Sequence, residues 1–372
     1  MELKAEVKLG KKTKNLVKRL TDREIAVIDH KDIDQLAATS LINTGTRVVI
    51  NASPSITGRY PNLGPEELIA NNVFLLDKVG VEIFHKLEDG DKIHIIDNEI
   101  FKDGIKIAEG RVLDKATLEE KLKISRDNLE DELDKFVKNT LEYAKQEKDL
   151  ILDLNPPEIE TQIEGKHVLI VVRGQDYKED LEAITSYIKE IEPILIGVDG
   201  GADALLDFGF EPHIIIGDMD SISDQALKIG SELIVHAYPN GDAPGLERIQ
   251  ELNLNAQKFP APGTSEDIAM QLAYEKGAEL ITAVGTHSNM IDFLEKGRAG
   301  MSSTFLTRLK IGAKLVDAKG VNKLYNSRLR PKHIFQIIAA AMIPVIIILL
   351  IAPPMQQMMR LLLIKLRFSL GF

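Results

Sequence analysis

Apolar residues are distributed along this chain in three distinct patterns. In the second half, unbroken runs of branched residues end in glycine or acid. One run ends Val198-Asp199-Gly200-Gly201, and after a short helical stretch a second reads Ile214-Ile215-Ile216-Gly217-Asp218-Met219-Asp220-Ser221. Such runs predict strands buried on both faces of a parallel sheet. Similar strands are expected at Val168–Val172, Leu233–Ala237, Leu280–Val284 and Lys314–Val316. A helix is predicted at Lys178–Glu190, and another opens at Gly263-Thr264-Ser265-Glu266-Asp267 and runs to Lys276, with Thr264 or Ser265 as its cap. Strand and helix alternate, so residues 156–326 are expected to form a doubly wound α/β domain. Pro239 to Pro262 reads as irregular.

The first half has shorter periods. Ile25–Asp29, Val48–Asn51, Phe74–Asp77, Val81–Phe84, Gly90–Ile96 and Glu99–Gly104 read as strands and tight turns, with one helix near Asp32–Asn43. They predict a small, β-rich α/β domain over 24–114. Its order resembles the swivelling phosphohistidine domains, but no histidine occupies the loop that would carry the phosphate, so it is read as a scaffold. The stretch Ser53–Pro65 holds three Pro and two Gly, which makes it a loop used for function or for an interface. Residues 1–23, rich in Lys and Arg, are expected to be a solvated basic tail, with contact to anionic lipid as the sharper alternative.

Residues 115–149 lack Gly and Pro, and Leu118, Leu122, Leu129, Leu133, Val137 and Leu141 recur at spacings of four and seven. One long amphipathic helix is expected within a linker over 115–155, about 50 Å long, which connects domains or pairs with a copy of itself in a homodimer. The third pattern is a run from Ile334 to Ala352 that is almost wholly apolar. At about 1.5 Å per residue it nearly spans a ~30 Å hydrocarbon core, and a single transmembrane helix is assigned to 333–353. Lys319, Lys323, Arg328, Arg330 and Lys332 precede it, whereas Arg360, Lys365 and Arg367 follow it. That excess places the N-terminal bulk in the cytoplasm, with lipid and a membrane protein as partners of the span. Residues 354–372 form a basic amphipathic tail at the far interface.

Composition narrows the chemistry. A net charge of −11 argues against a general nucleic-acid binder, and the absence of cysteine excludes disulfides and thiolate metal sites. The eight histidines show no ligand spacing. What remains is acidic. In a parallel sheet, ligands bind beyond the carboxyl ends of the strands, which would gather Asp199, Asp218 and Asp220 around one crevice. Clustered carboxylates repel unless a cation neutralises them, and Mg²⁺ carrying a polyphosphate suits one or two carboxylates with phosphate oxygens and water. The plain alternative is that each aspartate only caps the next helix. Gly200 and Gly201 would admit phosphate to backbone amides at a helix start. Arg173 and Gly174, Ser221, Thr264, Ser265, Asp267 and Arg298 complete the candidate set for a nucleotide or diphosphate ligand.

Val198-Asp-Gly-Gly-Ala202 and Ile216-Gly-Asp-Met-Asp-Ser221 resemble the two acidic motifs of thiamine pyrophosphokinases. The resemblance implies that Asp199, Asp218 and Asp220 hold Mg²⁺ and the phosphates of ATP. The whole chain is similar to the SteA-like proteins, through Asn51–Pro65, Ala243–Arg248, Phe259–Asp267, Gly297–Met301 and the C-terminal span. That resemblance implies a membrane-anchored bacterial protein linked to the cytokinetic ring. Two kinase motifs are eroded: only Thr264 and a displaced Asp267 answer to one, and only Asp292 to the other. Where the thiamine-binding β-sandwich would follow, near residue 320, a membrane span is expected instead. The resulting expectation is a membrane-anchored protein of division or envelope regulation that binds a nucleotide or diphosphate with Mg²⁺. An active diphosphokinase and a catalytically inert scaffold are the alternatives.

Overall fold

The computed structural model describes residues 2–324 and 331–370. They form two units, 1–321 and 322–372.

The first unit contains two sheets. In the N-terminal sheet, β1 (Glu2–Gly10), β2 (Ile25–Ile28), β3 (Val48–Asn51) and β4 (Phe74–Asp77) run parallel. β5 (Lys92–Ile96), β6 (Glu99–Lys102) and β7 (Ile105–Glu109) add an antiparallel meander, and β8 (Arg111–Val112) closes the other edge on β4. The order is β7-β6-β5-β1-β2-β3-β4-β8. Residues 1–23 are therefore not a basic tail. β1 lies inside the sheet, pairing Val7 with Ile25 on one side and Ala5 with Ile93 on the other. Leu3, Ala5, Val7 and Leu9 alternate with Glu and Lys, which is the period of a strand with one buried face, and all four pack into the core. The expected strand at Val81–Phe84 is instead a turn leading into the short helix Ile83–Lys86.

The expected long helix is broken. Lys115–Asp127 and Leu129–Leu152 meet at Asn128, whose side chain donates to the carbonyl of Gly58. Leu118 and Leu122 are buried under the N-terminal sheet, but Leu133, Val137 and Leu141 are 46–48 % exposed. The second helix buries a different row, Phe136, Thr140 and Ala144. The α/β domain of the same chain covers this face. Phe136 joins Tyr60, Phe293 and Leu294 in one apolar cluster, and Thr140 Oγ1 accepts the amide of Met301 at 3.1 Å. The Ser53–Pro65 loop is thus an internal seam. Tyr60 enters that cluster, Asn62 donates to the carbonyls of Ile33 and Ser55, and Arg59 pairs with Glu132 at 2.5 Å.

The second sheet has the expected class. β9 (His167–Val171), β10 (Ile194–Val198), β11 (Ile214–Gly217), β12 (Glu232–Ala237), β13 (Gln257–Pro260), β14 (Leu280–Val284) and β15 (Leu315–Asp317) are all parallel, in the order β13-β12-β11-β10-β9-β14-β15. Alternate residues feed two cores: Val168 and Ile170 face one layer of helices, while Leu169 and Val171 face the other. Pro239–Pro262, read as irregular, contains the helix Gly245–Glu251 and β13. β13 is an edge strand, where a terminal proline is tolerated.

In the second unit, helices span Pro331–Ile351 and Pro353–Leu370. The expected single transmembrane helix is corrected. Among the described residues no single helix is long and apolar enough to cross a membrane, but Ile338–Ile348 and Pro353–Lys365, bent by 96°, meet that test together. Pro353 and Pro354 lack the amide hydrogens that would continue the first helix, and they open a second one. Arg328 and Arg330, part of the cation excess used to orient the span, lie outside the described residues.

Candidate functional site

β9 is flanked by β10 and β14, so the chain leaves it toward one edge and later returns on the other side. A crevice forms beyond the strand ends at such a reversal. Asp199 follows β10 directly with φ 48°, a left-handed conformation that aspartate tolerates better than most residues. Its Oδ1 accepts the amide of Asp218 at 2.9 Å, and its carboxyl group is hydrogen-bonded to that of Asp218. This approach requires Gly217, because a Cβ there would collide with Asp199 Oδ1. Burial, reinforced by the Asp218 charge, pushes the Asp199 carboxyl up to about 7, against smaller opposing effects of the Asp218 amide and the Ser265 hydroxyl.

The Asp218-Met219-Asp220 turn is held from below. Met219 is buried with φ 66°, an unfavourable conformation for a large side chain. Arg248 donates to the carbonyls of Met219 and Ile222 and pairs with Asp224 at 2.6 Å. Asp220 donates its amide to Asp218 Oδ1 at 2.9 Å.

The crevice is a cavity of about 750 Å³ whose far wall belongs to the N-terminal domain. On the α/β side stand Arg173, Asp199, Gly200, Asp220, Ser221, His287 and Lys296. Facing them are Lys11, Lys12, Lys14, Lys18, Asp29, His30 and Asp34. The two sides touch where Lys14 Nζ donates to Ser221 Oγ at 3.2 Å. Arg173 packs across Gly200, where an added Cβ would meet Arg173 Cδ at 2.8 Å. Its Nε is buried and has no hydrogen-bond partner among the described residues. A desolvated donor of this kind is costly unless an acceptor arrives.

A third group enters from β14 and the helix Ser265–Glu275. The amide of His287 donates to the buried Glu266 Oε2 at 3.1 Å, and His287 Nδ1 lies 3.2 Å from the same oxygen and 3.0 Å from Lys296 Nζ. Nδ1 either donates to Glu266 or accepts from Lys296, and the tautomer decides which. Glu266 is held below the usual carboxylate range although burial opposes this, because His287 hydrogen-bonds and attracts it. Burial lowers the Lys296 ammonium, against the pull of Glu266.

Of the residues expected at the site, Arg173, Asp199, Gly200, Asp220 and Ser221 line the crevice, and Asp218 supports Asp199. Gly174 packs against Gly285 in the segment after β9, Gly201 opens the helix Gly201–Asp207 against Val171, and Ser265 sits between Asp199 and His236 Nδ1. Three more of the expected residues stand outside the lining. Thr264 and Asp267 form a capping box; Asp267 is fully buried, accepts Ser303 and Thr304 hydroxyls at 2.8 and 2.9 Å, and is pushed up by burial and by Glu266. They hold two helices together. Arg298 is exposed outside the lining, and Lys296 of the same segment supplies the cation.

The expected three-carboxylate metal cage is also corrected: among the described residues no group of three His, Asp or Glu is placed to hold a metal. Asp218 turns to Asp199 while Asp220 lines the crevice. The Asp199–Asp218 pair nevertheless fits Mg²⁺, which needs only one or two carboxylates beside phosphate oxygens and water. Sequence reasoning passed over Glu266, which reads as an ordinary acid in a first helical turn, and Lys11–Lys18, which were read as a tail. It also passed over Arg248 and His287, which carry no local signal.

Two segments match known families. Residues 185–289 match the thiamin pyrophosphokinase catalytic domain, and residues 319–368 match the SteA-like C-terminal domain. Among solved structures, the thiamine pyrophosphokinase of Bacillus subtilis is 24% identical, with 41% of this chain and 60% of that chain covered and a TM-score of 0.26. For the thiamin pyrophosphokinase of Geobacillus thermodenitrificans the values are 22%, 41%, 58% and 0.27. A 3-isopropylmalate dehydratase from Methanocaldococcus jannaschii is 11% identical over 34% of this chain and 98% of that one, with a TM-score of 0.21. The chain spans about three fifths of the pyrophosphokinases it matches. No curated protein matches it.

Proposed function

We propose that this chain, which carries a thiamin pyrophosphokinase catalytic domain followed by a SteA-like C-terminal domain, binds the diphosphate part of a nucleotide with Mg²⁺ in the crevice between its two sheets. The observation that carries this reading is the buried, unpartnered Nε of Arg173 beside Gly200, across from the Asp199–Asp218 pair. Arg173 and the Gly200 backbone would take phosphate oxygens, and Asp199 and Asp218 would hold Mg²⁺. Bound there, the ion would neutralise the diphosphate charge. Arg248 keeps Asp218 and Asp220 in place, and Lys14 with Ser221 closes the mouth.

The same proposal places the protein at the cell membrane, single-pass, with its N-terminal bulk cytoplasmic and a role in division or envelope regulation. The SteA-like segment and the apolar surface of the bent helix pair, such as Ile343, Ile351 and Leu361, support this. A homodimer would use the exposed row Leu133, Val137 and Leu141, and light scattering tests it. The binding reading is tested by the melting temperature of the full chain with Mg²⁺ and a nucleotide panel. A ligand binding only the folded state stabilises it by about 2.7 kcal/mol at a hundredfold excess over Kd. A shift seen in wild type and lost in Asp218→Asn is expected; a flat panel refutes the reading.

Diphosphokinase activity is the second reading, favoured by His287. With Nδ1 donating to Glu266, Nε2 is left as a base on the crevice wall. An acceptor hydroxyl would attack the β-phosphorus of ATP and pass its proton to Nε2; the bond from that phosphorus to the α–β bridging oxygen breaks and AMP leaves. AMP released in step with a pyrophosphorylated product, and abolished in His287→Asn, is the expected signature.

A further inference from the structure

What a ligand meets beyond its diphosphate is the rest of the crevice. Here that space is bounded by the N-terminal domain, and its wall is cationic. Six cations and four carboxylates line the crevice of a chain whose net charge is −11. The positive groups form two poles. Arg173 and Lys296 stand on the α/β side, and neither is in a salt bridge among the described residues. Lys11, Lys12, Lys14 and Lys18 stand on the other, around the short helix Thr13–Leu16.

None of these four lysines forms an ion pair among the described residues. Lys11 lies over the Phe84 ring at 5.7 Å, and Lys14 meets only the neutral Ser221 hydroxyl. The nearby acids have other partners: Asp29 Oδ1 accepts the Ser53 hydroxyl at 2.5 Å, while Asp34 caps the helix Gln35–Asn43 and pairs with His30 at 3.4 Å. Four ammonium groups gathered on one exposed wall, with no ion-pair partner there, repel one another. A second anion there would relieve it.

We infer that the crevice takes a ligand system with two anionic ends: a diphosphate against Arg173 and Gly200, and a separate phosphate or carboxylate group on the lysine pole. The second component is thus an anionic, phosphorylated or carboxylated molecule, and a cation such as thiamine is disfavoured. This rests on the nucleotide reading of the first pole. It also makes the ligand a tie between the two domains, since its ends lie on different sheets.

The test is calorimetric titration of the full chain in detergent with Mg²⁺, first with ADP and then with inorganic pyrophosphate added to the ADP-saturated protein. Wild type is expected to bind both. Lys12→Glu/Lys18→Glu is expected to weaken the second step at least tenfold while leaving the first within about twofold, and Lys123→Glu, outside the crevice, is expected to change neither. Lys12→Gln/Lys18→Gln, which removes charge without reversing it, should give a smaller loss of the second step and guards against misfolding of the reversal variant. ADP binding with no second step, or a second step indifferent to both lysine variants, overturns the inference and leaves the nucleotide site standing. Thiamine binding the ADP-saturated protein more tightly than pyrophosphate also overturns it. If ADP fails to bind but pyrophosphate binds in a lysine-dependent way, the nucleotide reading falls and the anionic pole is upheld. If neither binds, both fall.

Discussion

Replacing Asp199 by Asn isolates one charge. Asparagine tolerates the left-handed backbone at this position, and its side-chain oxygen can still accept the Asp218 amide, so the fold loses little. What disappears is a carboxyl group pushed from 3.8 up to about 7 by burial and by Asp218. The folded state holds this proton at pH values where the unfolded chain has released it. Wild-type stability therefore falls as pH rises from about 4 to about 7, by at most about 1.4 kcal/mol per pH unit, and is level above that window. Integrated over the window, the penalty approaches about 4 kcal/mol. Asp199→Asn should match wild type near pH 4, exceed it by about 2 kcal/mol near pH 5, and exceed it by up to about 4 kcal/mol at pH 8. Urea denaturation of both proteins in chelator across this range, followed by circular dichroism, measures the difference. Saturating Mg²⁺ should shrink it by stabilising only the wild type. An advantage that does not grow between pH 4 and 7 would show that Asp199 is not under strain from Asp218, and the argument for a cation at the pair would fail.

Other expected outcomes follow from single contacts. Glu295 is pushed up to about 8 by burial and then by Asp34 and Asp292, so its contribution to stability falls as pH rises from its ordinary 4.5 to about 8. Glu295→Gln should flatten that part of the pH profile and raise the melting temperature at pH 8; an unchanged slope refutes it. Phe293→Ala empties the centre of the Tyr60–Phe136–Phe293 seam and should cost about 3–5 kcal/mol, read by urea denaturation; a cost under about 1 kcal/mol would mean the two domains do not depend on it. Arg248→Ala removes the donors under Met219 and Ile222 and should weaken Mg²⁺–nucleotide binding about tenfold, with apo stability reduced by about 1–3 kcal/mol; calorimetry showing unaltered affinity would remove Arg248 from the site.

Local patterns along the chain were enough for the parallel sheet and for the residues that stand at its carboxyl edge. Branched apolar runs that stop at an aspartate can be buried on both faces only in such a sheet, and their ends must then meet at one edge, so Asp199, Asp218, Asp220, Gly200 and Ser221 were legible in advance. Distance along the chain hid the rest. Lysines alternating with Leu3, Ala5, Val7 and Leu9 read as a tail because their charge is local, whereas the strand that uses the alternation depends on partners near Ile25 and Ile93. The row Leu133, Val137, Leu141 and the row Phe136, Thr140, Ala144 are both available on one helix, and only packing against Phe293 and Met301 selects the second. Asp267 and Glu266 are adjacent acids in one first turn. One is buried against Ser303 and Thr304 and the other against His287, a division made by which helix or loop folds over each carboxylate. The crevice exists for the same reason. Its two walls lie about two hundred residues apart in sequence, and only the seam through Tyr60 and Phe136 brings Lys14 to Ser221.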